Sequence, residues 1–411
     1  MSYQTHYFKS GLRLVFMPET SKIVYCGVII DVGSRHENEN QYGMAHFVEH
    51  LLFKGTEKRS VTQIINRLEN VGGELNAFTA KEETGVYSAV LQEYTERAIE
   101  LIADITLNSV FEIKQINLER EVILDEIDTY EDSPAELIFD EFEKQLFSNN
   151  YALGHFILGE KALLRKYTRD DIFEFYKQHY KPQNMVLFVR GNADFKKLVN
   201  CGEKYFGDFD FNPNRVLNPV RVVDTKPAEK LQILQKNTIQ SHVAIGGNTV
   251  NMYHPDRMAI YLLNNILGGA GMNSLLNMSL REKRGLVYTV ESNFQPFTDA
   301  GEWCVYFGCD PHDALKCEKL VYRELKKLCE KKFSETTLSK YKRQLFGQMA
   351  IASENGENMA ISLGKNYLRF GKIEKLSDIW KKIEEIKPEH LLEITNEMFD
   401  KNNIYTLKYV P

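Results

Sequence analysis

Apolar and polar positions along the 411-residue chain change period several times, and each change marks an element. LRLVFMP (residues 12 to 18) and IVYCGVIIDVG (23 to 33) read as strands separated by polar turns. From about Tyr42 the period becomes helical through Lys54, and a second helix runs from Ser60, a good N-cap, to Asn70, where Gly72 and Gly73 stop it. ELNAFTAKEETGVYSAVL (74 to 91) returns to strand. Amphipathic helices are predicted over 93 to 107, 114 to 131, about 133 to 147 and 168 to 179, and MVLFVRG (185 to 191) reads as a buried strand.

Between Asp208 and Lys230 the chain has three prolines and no period, which reads as a linker. The order of elements then recurs. A strand pair (LQILQ, HVAIGGNTV) is followed by helices over Asp256 to Leu267 and Met272 to Lys283. Next come strands LVYTVESNF and GEWCVYFGC, long helices from Pro311 to about Ser353, and a last strand, IYTLKYV. At an offset of 214 residues Met44-Ala45 falls on Met258-Ala259, and Gly55 on Gly269. YKPQNMVLFV resembles FDKNNIYTLK near the ends of the halves. The expectation is a duplicated α+β unit: two domains, each a mostly antiparallel sheet packed on helices. Residues 1–212 form the first, 213–228 the linker and 229–411 the second. The length suits this division, since one hydrophobic core rarely serves more than about 300 residues.

Composition removes several functions. A net charge of -6 with basic and acidic residues interspersed argues against nucleic acid as partner. No apolar run approaches the roughly 18 residues of a membrane span, and the N-terminus has no charged-then-apolar leader. Six scattered cysteines form no CxxC pair; they read as reduced thiols of a cytoplasmic protein. Cys304 and Cys309, five apart on a strand, fall on opposite faces.

The chemistry lies in MAHFVEHLLFKG, residues 44 to 55. His46 and His50, four apart on a helix, present their imidazoles on one face, as a shared zinc ion requires. Glu49 sits at the edge of that face, where it need not be a ligand and can take a proton from an activated water. The surrounding Met44, Phe47, Val48, Leu51 and Leu52 make the helix apolar nearly all round, and titratable groups buried there without a metal would be costly. The duplicated half carries Ile260, Leu263 and Asn264 at the equivalent positions, an ordinary core helix. A catalytic zinc has three protein ligands, and the helix QINLEREVILDEIDTYED offers the third. Glu119 and Glu126, two turns apart on a stripe with Ile123 and flanked by Ile116 and Val122, look buried. Glu121, Asp125 and Asp128 look solvated. Periodicity leaves Glu119 and Glu126 tied, one to ligate and the other to orient a histidine or the water.

HFVEH, LNAFTAKEETGVYSAVL, EREVILDEI and LREKRGLVYTV, in that order, resemble the inverzincin metallopeptidases of the pitrilysin, insulysin and mitochondrial processing peptidase family, over essentially the whole chain. The resemblance implies an endopeptidase with one zinc ion per chain, held by His46, His50 and, about 76 residues after the second histidine, Glu126. It implies Glu119 as a supporting carboxylate, Glu49 as general base, and LNAFTA as an edge strand on which substrate lies. There the main chain of Ala77 and Phe78 would pair with the peptide while Asn76 holds its backbone. Arg281 and Tyr288 would contact substrate, Tyr288 at the carbonyl oxygen. Because one chain carries both sets, the resemblance implies a homodimer enclosing a chamber that admits extended peptides. The alternative is a non-catalytic scaffold or partner subunit of the same fold. Two departures stand out: GGAGMNSLLNM (Gly268 to Met278) replaces a more glycine-rich stretch, and GHFILG has His155 where arginine and proline are usual. His155 reads as structural.

Overall fold

The computed structural model describes residues 3–147, 152–209 and 229–411; the expected linker lies outside these. The chain forms two compact units, each an α+β structure, and neither is one continuous stretch. The first takes residues 1–128 and 353–373 together with the segment that starts at His155; the second takes 129–154, 374–411 and the second half up to residue 352.

In the first unit, β1 (Gln4–Tyr7), β2 (Arg13–Pro18), β3 (Ile23–Ile30), β4 (Glu74–Thr79), β5 (Thr84–Leu91) and β6 (Met185–Gly191) form a sheet of order β1-β2-β6-β3-β5-β4. Every pairing is antiparallel except β2 with β6. The stretch 74 to 91, expected as strand, is a hairpin: Asn76 pairs with Tyr87 and Phe78 with Gly85, and the chain turns through AKEE. Among the described residues β4 pairs with β5 alone, so its outer edge is free.

Both faces of this sheet are covered, which is why β3 and β6 are apolar in nearly every position. Val28 and Ile30 of β3 point to one face. They meet helices α1 (Met44–Leu51), α2 (Val61–Glu69), α3 (Thr95–Leu107), α4 (Ile113–Glu131), α6 (Lys161–Leu164), α7 (Arg169–His179) and α8 (Phe195–Phe206), α5 (Pro134–Phe147) belonging to the other unit. Ile29 and, from β6, Val186 and Phe188 point to the opposite face.

In the second unit, β7 (Leu231–Gln235), β8 (Ser241–Thr249), β9 (Val287–Pro296), β10 (Gly301–Cys309) and β11 (Tyr405–Val410) have the order β7-β11-β8-β10-β9. Again one pairing, β7 with β11, is parallel. Setting β2, β6, β3, β5 and β4 against β7, β11, β8, β10 and β9 reproduces the order and every direction, which is the architecture of a duplication. Helices α9 (Arg257–Gly268), α10 (Ala314–Glu330), α11 (Glu335–Ala352), α13 (Leu376–Glu384) and α14 (Pro388–Met398) pack on one face, and α12 (Gly356–Phe370) belongs to the first unit.

The second faces explain the discontinuity. Helix α12, from the second half of the sequence, packs on β3 and β6, presenting Ala360, Leu363 and Tyr367 to Ile29 and Phe188. Gly364 lies on that stripe; a Cβ there would sit 2.6 Å from the Phe188 ring and 2.7 Å from Ile29, so only glycine permits this approach. Helix α5, from the first half, packs on β8 and β11 with Ile138, Phe142 and Leu146. The packing units thus differ from the expected continuous domains 1–212 and 229–411 by two exchanged segments: each sheet has a second apolar face, and a helix from the other half covers it. All six cysteines are free, and Cys304 and Cys309 lie in the cores on opposite faces of β10.

Candidate metal centre

Helix α1 begins after Gly43, whose φ of 92° is left-handed, and packs against β4 and α7. Met44, Phe47, Val48, Leu51 and Leu52 are buried as expected, and they hold His46, Glu49 and His50 toward α4. His46 Nε2 lies 3.9 Å and His50 Nε2 3.5 Å from Glu126 Oε2, and one ligand atom from each of the three lies within 4.8 Å of the others.

The donor set fits zinc. Ligand atoms about 2.0–2.1 Å from a tetrahedral ion lie ~3.3 Å from one another, close to these separations. The tautomer fits as well: His50 Nδ1 lies 3.2 Å from Glu119 Oε2, and since a carboxylate accepts, Nδ1 donates and Nε2 keeps its lone pair toward Glu126. Burial, then the neighbouring His50, pulls His46 down to about 3, so its imidazole is neutral and able to ligate at physiological pH.

Glu119 and Glu126 prove unlike. Glu119 is buried, with 9% of its side chain exposed, and holds His50 on one oxygen and Lys54 Nζ, at 2.8 Å, on the other. Glu126 has 44% of its side chain exposed. The expected buried stripe holds at Ile116, Glu119 and Ile123 and is corrected at Val122, which is 48% exposed, and at Glu126. The side of α4 that carries Val122 and Glu126 faces outward, while Ile123 and Ile127 keep the other side in the core. Glu121, Asp125 and Asp128 are exposed as expected.

Glu49 Oε2 accepts a 2.8 Å hydrogen bond from Thr79 Oγ1, at the end of β4. Burial raises the Glu49 carboxyl above its usual range; Thr79 and His50 oppose the rise and Glu126 adds to it. A carboxylate destabilised in this way is a better base. Sequence reasoning does not single out Lys54 or Thr79. Lys54 follows His50 by four, on the same stripe, which is a usable signal; Thr79 has none beyond its place in NAFTA.

Along β4, Ala77 lies with Leu75 against the helical core while Phe78 packs on the α12 face, its ring 4.5 Å beneath Lys365 Nζ. Asn76 shares the Phe78 face by strand alternation. In the second unit, Arg281 lies in a short π-helical turn (Asn277–Glu282), its guanidinium 5.7 Å from the Tyr288 ring. Tyr288 is 82% exposed and is the extra residue of a bulge, since Val287 and Thr289 pair with Cys309 and Gly308. Bulges of this kind re-aim a side chain. His155 stands apart from the metal cluster, against Ser34 and Glu37. Among the described residues no helix is long and apolar enough to cross a membrane.

The position equivalent to His50 is occupied in the second unit by Asn264, which closes on Ser292. Its Nδ2 donates to Ser292 O at 2.8 Å, and Ser292 Oγ donates to its Oδ1 at 2.6 Å. Ile260 and Leu263 are buried core residues.

Known proteins resemble the chain over most of its length. Residues 14–159 match the family model described as insulinase (peptidase family M16), and residues 166–345 the one described as the peptidase M16 inactive domain. A protein of Rickettsia felis named an uncharacterized zinc protease is 32% identical over 397 residues, covering 95% of this chain and 93% of its own. One of the same description from Streptomyces coelicolor is 33% identical, covering 94% and 85%. The fold is that of a protease from Helicobacter pylori, with a TM-score of 0.91 at 22% identity over 100% of both chains. A Pseudomonas fluorescens structure described as a peptidase M16 inactive domain gives 0.90 at 20%, covering 100% of this chain and 98% of its own. The chain belongs to the insulinase family, peptidase family M16.

Proposed function

We propose that the chain is a zinc-dependent endopeptidase that hydrolyses peptides or unfolded polypeptide segments, with one zinc ion held by His46, His50 and Glu126. The observation that carries this reading is the convergence of three ligand atoms beside a half-buried carboxylate that is not one of them. A purely structural zinc site has no use for Glu49. Zinc in this position would supply a Lewis acid for the scissile carbonyl and acidify the attacking water. Glu49 takes the proton from that water as its oxygen bonds to the carbonyl carbon, and returns it to the nitrogen as the C–N bond breaks. Thr79 keeps Glu49 aimed while it changes charge, and Glu119 keeps His50 in one tautomer.

The free edge of β4 supports substrate binding as an added strand, the main chain of Ala77 and Phe78 pairing with the peptide and Asn76 steadying it. Arg281 and Tyr288 complete the site in this reading. Tyr288 donates to the oxygen that gains charge, and Arg281 holds substrate oxygens. With both sets in one chain the enzyme needs no second kind of subunit, and it acts as a homodimer around a chamber that admits extended chains. Free cysteines suit a cytoplasmic setting. A non-catalytic scaffold would not need Glu49 and its Thr79 partner; the match to an inactive domain, residues 166–345, contains none of His46, Glu49, His50 and Glu126.

The test is incubation of the purified chain with a peptide library, with and without a chelator. Cleavage should require the metal. Glu49→Gln should lower turnover by about 10³-fold or more at unchanged zinc content; a fully active variant would rule out the general base.

A further inference from the structure

Helix α1 has no cap of its own, because Gly43 offers no side chain to its first N–H groups. Glu37 takes that place from outside the helix: its Oε2 accepts from Gly43 N at 2.9 Å and its Oε1 from Ala45 N at 2.7 Å. The carboxylate also lies at the positive end of the helix dipole. It is completely enclosed, and what encloses it includes His155. His155 Nε2 lies 2.7 Å from Ser34 O and 3.2 Å from Glu37 Oε2; both oxygens only accept, so Nε2 is the donor. Its ring stacks on Tyr42 with centroids 4.1 Å apart and planes 14° from parallel.

The backbone after His155 fits as closely. Gly43 and Gly159 both have positive φ, and a Cβ on Gly159 would meet Tyr42 O at 2.3 Å. On its other side, the His155 carbonyl accepts a buried 2.7 Å bond from Lys81 Nζ, and Lys81 lies in the turn between β4 and β5. One residue therefore touches the start of the helix that carries His46, Glu49 and His50, and the hairpin that carries Asn76 to Thr79.

We propose that His155 is a positioning residue that holds the metal helix, through Glu37, and the substrate edge strand, through Lys81, in one register. It touches neither metal nor substrate. Burial of Met44, Phe47, Val48 and Leu51 sets which face of this eight-residue helix meets the core, and the Glu37–His155 contact fixes its N-terminal end; a displacement of about 1 Å in such a site costs on the order of 100-fold in rate. This inference rests on the zinc-peptidase reading.

The test uses the full chain and reads zinc affinity by chelator competition, kcat and KM on a peptide, and the melting temperature of the zinc-free protein. His155→Phe keeps the ring on Tyr42 and removes the donor. It should weaken zinc about 10–100-fold and lower kcat, losses larger than the modest fall in zinc-free melting temperature that one missing buried donor brings. His155→Gln, whose amide reaches about as far as Nε2, should recover most of the loss. Lys81→Met cuts the other tie and should raise KM while zinc affinity holds. The proposal is overturned if His155→Phe binds zinc and turns over like the parent. It is equally overturned if the loss tracks the melting temperature and Gln restores nothing. A parent chain that binds zinc no better than His46→Ala would instead overturn the peptidase reading beneath it.

Discussion

The two units share strand order and strand direction, and they differ where α1 and α9 meet their sheets. On α9, Ile260 and Leu263 fill the core and Asn264 closes on Ser292. On α1 the same positions carry His46, Glu49 and His50: Glu49 accepts from Thr79, His50 donates to Glu119, and His46 faces Glu126 at 3.9 Å, beyond hydrogen-bond range. Burying such groups costs several kcal/mol unless each is satisfied. The first unit therefore accepts a stability cost that the second avoids, and the difference between them is the site.

The strongest way to break the comparison is to turn α1 into α9. His46→Ile with His50→Asn should abolish zinc binding and cleavage, while the zinc-free protein melts at or above the parent temperature because buried polar groups have been removed. Metal analysis and a thermal melt in chelator check both halves of this statement. A double variant that fails to fold would show that the histidines serve the scaffold.

Next is the unequal pair on α4. Glu126→Gln should cost more zinc affinity than Glu119→Gln, for which a loss of about 10–100-fold is expected. Equal losses in chelator titrations would mean that the buried Glu119, not the open Glu126, can act as ligand. Tyr288→Phe tests whether the second unit contributes to the proposed reaction at all. Turnover should fall about 100-fold with the melting temperature unchanged, since the side chain is exposed and packs little. Unchanged turnover would remove Tyr288 from the reaction and leave the first unit to act alone.

Much of this contrast is legible in the sequence. The 3.6-residue period over residues 44 to 54, the two histidines on one face and the apolar counterpart 214 residues on all describe local features of a helix, and α1 and α9 follow them. What periodicity does not reach is set by partners distant in sequence. Glu119 and Glu126 share one stripe, so only their surroundings separate them: His50 and Lys54 enclose Glu119, while Glu126 is left open. Glu37 and His155 are ordinary polar residues until the fold brings them together at the N-terminus of α1. Helices α6, α8, α12, α13 and α14 are absent from the elements that the pattern predicts. For α12 the reason is physical: Gly356 and Gly364 read as breaks in a helix, whereas the folded chain uses Gly364 to bring the helix onto Phe188.

That glycine supplies the smallest and most discriminating prediction. Replacing a helical glycine with alanine ordinarily stabilises by about 1 kcal/mol, because alanine loses less backbone freedom. A Cβ added at Gly347 of α11 would have nothing within 4 Å, and Gly347→Ala should show that gain in a denaturant titration. Gly364→Ala gains the same propensity but sets its Cβ 2.6 Å from Phe188 and 2.7 Å from Ile29. Overpacking of that kind costs about 1–3 kcal/mol, so the net change should be a loss of roughly 1 kcal/mol. Opposite signs at two helical glycines of one chain would show that α12 is held on the first sheet by close approach. Equal gains would mean that the face of α12 is loose, and that the first unit tolerates slack in the helix it takes from the other half of the chain.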